Sequence, residues 1–182
     1  LTNYGTLTIS SNGTLTNVSN LNNTKTSAEI NATFDIVGIL NNNVGGTILN
    51  TGNVTNKTNG QINNPGTIDN QLSLINNATI NTSGSLLNKS TGTFSNNLAL
   101  NNNVGGTYEN DGIMTNSATS ILKNYATVIN DNSIIDDGII KLYKTSNFTN
   151  NSQLTIKYIF RNYGTLTNNS TITTFDAEIR NN

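Results

Sequence analysis

The chain has 182 residues, nine Lys plus Arg against ten Asp plus Glu, and a formal charge of −1. With no Cys and no His it has no disulfide framework, no zinc site of the usual kind, no thiol nucleophile and no Ser-His-Asp triad. Its nine scattered bases are not the footprint of a nucleic-acid binder, and no apolar run approaches the roughly 20 residues that span a bilayer. The 39 Asn and 29 Thr fill over a third of the chain. So polar a composition reads as disorder unless a period organises it, which makes periodicity the deciding test.

The chain begins at Leu1 rather than Met, with no signal peptide, so it is expected to be a processed chain or a piece of a longer one. Thr-x-Thr triplets open the sequence at Thr6–Thr8 and Thr14–Thr16 and return at Thr165–Thr167 and Thr171–Thr173. Flat Thr arrays on solenoids bind ice, but they need one face repeated coil after coil. These triplets fall in neighbouring units, hence on different faces. Residues 20–38 keep phase poorly: NLNNTKTS and AEINAT fit a unit, FDIVG is a remnant, and a bulge or loop is expected.

From Thr47 the chain falls into units of six residues, or eight where the turn is longer: TILNTG, NVTNKTNG, QINNPG, TIDNQL, SLINNA and onward. The second position is apolar in 18 of 20 units (Ile48, Val54, Ile62, Ile68, Leu74, Ile80), with Ser120 and Glu178 the exceptions and a short RNYG left over. The fourth is Asn in 13 of 20, as at Asn50, Asn56, Asn64, Asn70, Asn88, Asn110 and Asn130. A longer period lies above the short one. LNNNVGGT occurs at residues 40–47 and 100–107, and NYGTLT at 3–8 and 162–167. Both spacings approach multiples of 20, the sum of units of six, six and eight.

A six-residue unit is too short for two helical turns, and its apolar residue between polar neighbours suits a strand with one buried face. Thr, Ile, Val, Leu and Tyr favour strands; Asn and Gly favour tight corners. The unit therefore predicts one strand plus one corner, and three units make a triangular coil. The fold class expected is all-β, a single domain over 1–182: a parallel β-helix of about nine coils, some 43 Å long at about 4.8 Å per coil. One coil buries about three apolar side chains, too few to offset the ordering of its residues, so coils hold only by stacking. The apolar residues point into the hollow and amides and hydroxyls stay outside. Stacked Asn at equivalent corners can bond from coil to coil; the competing reading is plain solvated turn residues.

Gly45–Gly46 and Gly105–Gly106 recur in the same turn and precede a strand, which makes them turn residues rather than a phosphate cradle. Asp136 and Asp137 are the only adjacent carboxylates, with Asp131 near. They fall where other units turn, and no cleft accompanies them, so a turn is favoured over a calcium site or catalysis. The segment Ile139–Phe160 is richer in aromatics and Lys (Tyr143, Phe148, Tyr158, Phe160; Lys141, Lys144, Lys157), so the last coils, 139–182, are read either as distinct in role, a cap or contact surface, or as ordinary variation. Glycosylation candidates of the Asn-x-Ser/Thr type are Asn12, Asn17, Asn22, Asn31, Asn53, Asn56, Asn77, Asn81, Asn88, Asn147, Asn150, Asn168 and Asn169.

Runs such as GTLTISSNGTLTNVSN and GTILNTGNVTNKTNGQINNPGTIDN resemble the passenger domains of haemagglutinin-like exoproteins and autotransporter adhesins. The likeness covers most of the chain and is one of repeat style, so no functional residue carries over. Passengers usually run to many more coils. It implies a right-handed parallel β-helix; the left-handed hexapeptide β-helix is the rival and fits the eight-residue units less well. The expected function is an extracellular, cell-surface structural or adhesive rod with no catalytic residues, cofactor or metal. Its partners would be further copies of itself, stacked end to end or side by side, or surface glycans or proteins, with no nucleic acid and no membrane insertion. The alternatives are a self-assembling filament subunit and a carbohydrate-binding or polysaccharide-degrading β-helix.

Overall fold

The computed structural model describes residues 1–3, 5–17, 19–23 and 32–181. Short strands follow one another from Thr2–Asn3 to Glu178–Asn181, with no helix among the described residues. Each strand pairs in parallel with the strand three further along, so the chain winds around three sheets of nine strands each. The result is a three-sided β-solenoid. Over most of the chain stacked partners lie 18, 20 or 22 residues apart as the turns between them lengthen, with intervals of 25 and 27 near the start and 19 at the end.

The unit works by alternation. In a strand successive side chains face opposite sides, so positions two and four of each unit point inward together. Every strand from Thr33–Ile36 to Ile159–Asn162 is buried at these two positions. Second-position residues such as Phe34, Ile62, Ile80, Leu100, Met114 and Phe148 form one continuous core. Aromatic neighbours within it meet edge to face, Phe94 with Tyr108 at 5.8 Å and Phe148 with Phe160 at 6.1 Å. The longer units place their two extra residues in the turn. There Gly45 and Gly105 take φ of 82° and 86°, a conformation that glycine adopts without strain.

The sequence reading needs three changes of frame. The leftover RNYG belongs to IFRNYG, whose strand Ile159–Asn162 pairs with Ile139–Leu142 and Glu178–Asn181. With strands at Ile121–Asn124 and Glu178–Asn181, the second positions are Leu122 and Ile179, so Ser120 and Glu178 are not exceptions. FDIVG gains Thr33 and becomes a full unit whose strand pairs with Thr6–Ile9 and Asn53–Asn56. Of the irregular stretch expected at 20–38, residues 24–31 lie outside the described residues and the flanks keep phase. Asn23 and Asn50 are 27 residues apart, yet their side chains meet at 2.8 Å, so the extra chain leaves the stacking intact.

A larger correction concerns the amides. They were expected outside, but Asn42, Asn56, Asn64, Asn70, Asn110 and Asn130 are fully buried. Period two puts the fourth position on the same side as the second, at the corner of the triangle. A buried amide is tolerable only when its hydrogen bonds are made, and stacking makes them. Along the first sheet Asn3, Asn23, Asn50, Asn70, Asn88, Asn110, Asn130, Asn150 and Asn168 form an unbroken ladder, each Nδ2 donating to the next Oδ1 at 2.7–2.9 Å. Each Nδ2 from Asn23 to Asn150 also donates to the first carbonyl of the following strand one coil on, as Asn110 does to Ser133 O at 2.9 Å. One side chain thus ties two coils and two sheets together.

The second and third ladders are interrupted. The second runs Asn56, Asn76, Asn96, Asn116, Asp136, between Ile36 and Ile156. In the third, Thr82 and Leu142 replace Asn.

Replacing a ladder Asn should cost far more than replacing an exposed one. Asn110→Ala removes the Oδ1 that Asn88 donates to, takes a donor from Ser133 O and leaves Asn130 Oδ1 without one, and is expected to lower unfolding free energy by about 2–4 kcal/mol. Asn12→Ala, in an exposed turn, should change it by less than about 0.5 kcal/mol. Denaturant melts of the two variants check this.

Candidate functional site

The inward positions are committed to stacking, so function must be sought on the outward first and third positions and the turns. On the third sheet the third-position residues form one column along the axis. After Thr16 come Asn41, Asn63, Asn81 and Asn101, joined by side-chain hydrogen bonds of 2.8, 3.2 and 2.8 Å. The column continues in register as Lys123, Lys141, Arg161 and Arg180. Bases that are scattered in the sequence are therefore aligned in space, because their spacing follows the coil length.

Next to this column stand the residues that follow each fourth position, Tyr125, Tyr143 and Tyr163. The Tyr125 and Tyr143 rings stack with centroids 3.9 Å apart and planes inclined by 16°. Lys141 Nζ lies 4.5 Å from the Tyr143 ring centre and 5.6 Å from that of Tyr163, a cation–π arrangement. Tyr143 thus meets both a stacked ring and an ammonium group. The adjacent Tyr143 hydroxyl raises the pKa of Tyr125 to about 12. The pairing lowers that of Tyr143, and Lys141 and Lys123 act in the same direction. Lys141, Tyr143, Lys144 and Tyr163 line a shallow notch on this face.

Charge is segregated around the rod. Lys57 pairs with Asp35 at 3.5 Å, Lys89 with Asp111 at 3.5 Å, Lys157 with Asp137 at 2.9 Å, and Arg180 with Glu178. Among the described residues Lys123, Lys141, Lys144 and Arg161 have no carboxylate partner, and Arg161 Nε is buried without a hydrogen-bond partner. Glu178 is the only described acid on the third sheet's strands. A net charge of −1 thus conceals a basic face.

The carboxylates singled out in the sequence do not converge. Asp131 accepts from Asn151 at 2.7 Å and Asp137 pairs with Lys157. Asp136 is not a solvated turn residue: it ends a strand, is fully buried, and fills an amide's place in the second ladder. Its Oδ1 accepts from Asn116 Nδ2 at 2.6 Å and from Gly138 N at 3.3 Å, while Oδ2 has no partner. Among the described residues no group of three or more His, Cys, Asp or Glu could hold a metal ion.

Of the sequon asparagines, Asn56, Asn88 and Asn150 are buried ladder members, so a glycan there would have to break the stack. Asn12, Asn147, Asn168 and Asn169 are exposed; Asn17, Asn22, Asn53, Asn77 and Asn81 are half-buried. Asn31 lies outside the described residues. The Thr-x-Thr triplets at either end lie on different sheets. Of the aromatics noted in the last coils, Phe148 and Phe160 are core, whereas Tyr143 joins the outer stack. The basic column itself was missed, although Lys123, Lys141 and Arg161 are spaced by 18 and 20, the same intervals as Tyr125, Tyr143 and Tyr163.

No protein-family profile, no curated protein and no solved structure matches the chain.

Asp136 generates a pH prediction. Burial raises its carboxyl from 3.8 to about 7, against the bonds from Asn116 and Gly138 that favour ionisation. Protonated, the group imitates an amide, with one oxygen accepting and one O–H to donate. Between those two values the folded chain holds a proton that the unfolded chain has released, so its stability falls as pH rises through that window and levels off above it. Asp136→Asn should therefore be close to neutral at pH 4 and stabilising by about 2–4 kcal/mol at pH 8. Thermal melts of both proteins across pH 4–8 check the divergence.

Proposed function

We propose that this chain is a structural rod of the cell exterior, a β-solenoid segment of a surface adhesin or fibre, and that it does no catalysis. The observation that carries the reading is the unbroken nine-Asn ladder beside a continuous apolar core. It binds each coil to the next along the whole described length, as a load-bearing spacer requires, and leaves the outer faces free to vary. The resemblance in repeat style to haemagglutinin-like and autotransporter passengers supports the exterior setting. Scarce charge and absent Cys suit it as well.

A second reading, a filament of stacked copies, rests on the terminal coils. Inward residues that are buried elsewhere are only half-buried there, at Leu7 and Leu15 and at Leu166 and Ile172. A further coil, from the same chain or another copy, would cover them.

Solution scattering and negative-stain images should show an elongated particle about 38 Å between its first and last strands, from eight steps of about 4.8 Å. A disordered chain would overturn the rod reading, and long fibres would favour the filament. Antibody raised against the chain should label intact source cells; labelling only after lysis would overturn the exterior assignment.

A further inference from the structure

The third sheet's outer face carries a feature that a bare spacer does not need. In-register like charges on adjacent strands repel, and a sheet normally avoids them. Here Lys123, Lys141 and Arg161 stand one above another on consecutive coils. Among the described residues carboxylates reach the lysines of the other faces and Arg180 at the end of the column, and none reaches these three. A repeated choice of cations at one coil position, left without counter-charge, makes sense when the counter-charge comes from outside.

The geometry narrows what that partner is. The column runs in register from coil to coil and offers one cation per coil, a step of about 4.8 Å, which suits an extended linear polymer lying along it. Below it the same column continues as Asn81 and Asn101, half-buried amides bonded to each other, whose remaining N–H groups suit hydroxyl oxygens. Single-stranded nucleic acid fits less well, because it is held by bases stacking on open aromatic faces. Tyr143 is already engaged, stacked on Tyr125 and with Lys141 over its ring. What remains open is the notch between Tyr143 and Tyr163, with Lys141 and Lys144 on its walls, a cation-lined seat for an anionic sugar.

We propose that this face binds a linear acidic polysaccharide, its carboxylate, sulfate or phosphate groups set against Lys123, Lys141 and Arg161 and its hydroxyls against the neighbouring amides. The proposal rests on the reading of the chain as an exterior rod and gives that rod a partner. The backbone needs no ordering on binding, since the cations stand on a preformed sheet, and only their side chains have to settle.

The test uses the whole chain and four immobilised probes: heparin for sulfate, polygalacturonate for carboxylate, dextran as a neutral glycan, and a thymidine homopolymer. The chain should bind at least one acidic glycan, lose binding as salt rises from 50 to 500 mM, and ignore dextran. Combining Lys123→Gln, Lys141→Gln and Arg161→Gln should weaken that binding about tenfold or more. Lys57→Gln with Lys89→Gln, whose lysines are paired on other faces, should leave it unchanged.

Melting temperature supplies the readout that separates binding from folding. The triple variant should melt at or above the parent, since like charges are removed from neighbouring strands. A triple variant that melts lower would make the column structural and overturn the proposal. So would equal binding by parent and triple variant, thymidine homopolymer bound as tightly as the acidic glycans, or no binding to either acidic glycan. A chain that scatters as a rod and binds none of the probes would sink this inference alone, whereas one that is not a rod would sink the reading beneath it.

Discussion

The constraint on which the molecule depends is the hydrogen-bonding obligation of a buried primary amide. An Asn side chain inside a protein must find one acceptor and be offered at least one donor, or it costs more than the fold can spare. At the corner of a triangular coil, a second Asn at the same place one coil away meets both needs. The ladder therefore fixes register, rise and corner position at once. All its amides point the same way, from Asn3 toward Asn168, so each bond polarises the next. A slip of one residue would turn every amide out and every outward polar residue in, which makes the register strongly specified.

The interruptions bear this out. Asn56 Oδ1, Asn102 Oδ1 and Asp136 Oδ2 are buried without partners. Each sits where its ladder breaks: Asn56 follows Ile36, Asn102 follows Thr82, and Asp136 precedes Ile156. Asn56 and Asn102 are also followed by longer turns, Lys57–Gly60 and Asn103–Gly106. The backbone N–H that reaches Asn50, Asn76 and Asn124 two residues on is not delivered there. The outer Asn column obeys the same rule in the opposite direction. Its upper amides donate downward, and Asn101 Oδ1 is left without a donor where Lys123 takes over. The orphaned atoms follow from a ladder needing a copy on both sides.

Much of the fold was legible because its cause is local and repeated. Ile48, Ile62, Ile68 and Ile80 announce the core by spacing alone, and the 60-residue return of LNNNVGGT sets the coil length. What stayed hidden has identifiable reasons. The fourth-position Asn reads as surface from composition, and only the period-two rule carried through to position four places it inside. Asp136 hides for the same reason, since an acid before Asp-Gly looks like a turn until its place in the ladder is known. Longer turns were assigned to the wrong neighbour around Ser120 because Thr and Ser occupy strands and turns alike here.

The basic column was illegible for a different reason. A solenoid converts sequence intervals of 18 to 22 into direct contact, so residues that look scattered become a stripe when they recur in step with turns of variable length. Lys123, Lys141 and Arg161 are not evenly spaced, and no fixed-period scan aligns them; only the actual sequence of six- and eight-residue units does. The same conversion lets such a chain change its surface cheaply. An outward position can take an amide, a cation or a hydroxyl without disturbing the inward pair that holds the coil. The third sheet shows the result in one column, amides passing into cations over second positions that stay apolar, Ile80, Leu100, Leu122 and Ile140. Stability and surface chemistry are thereby written in alternate residues of the same strand, and the surface can be altered without endangering the stack.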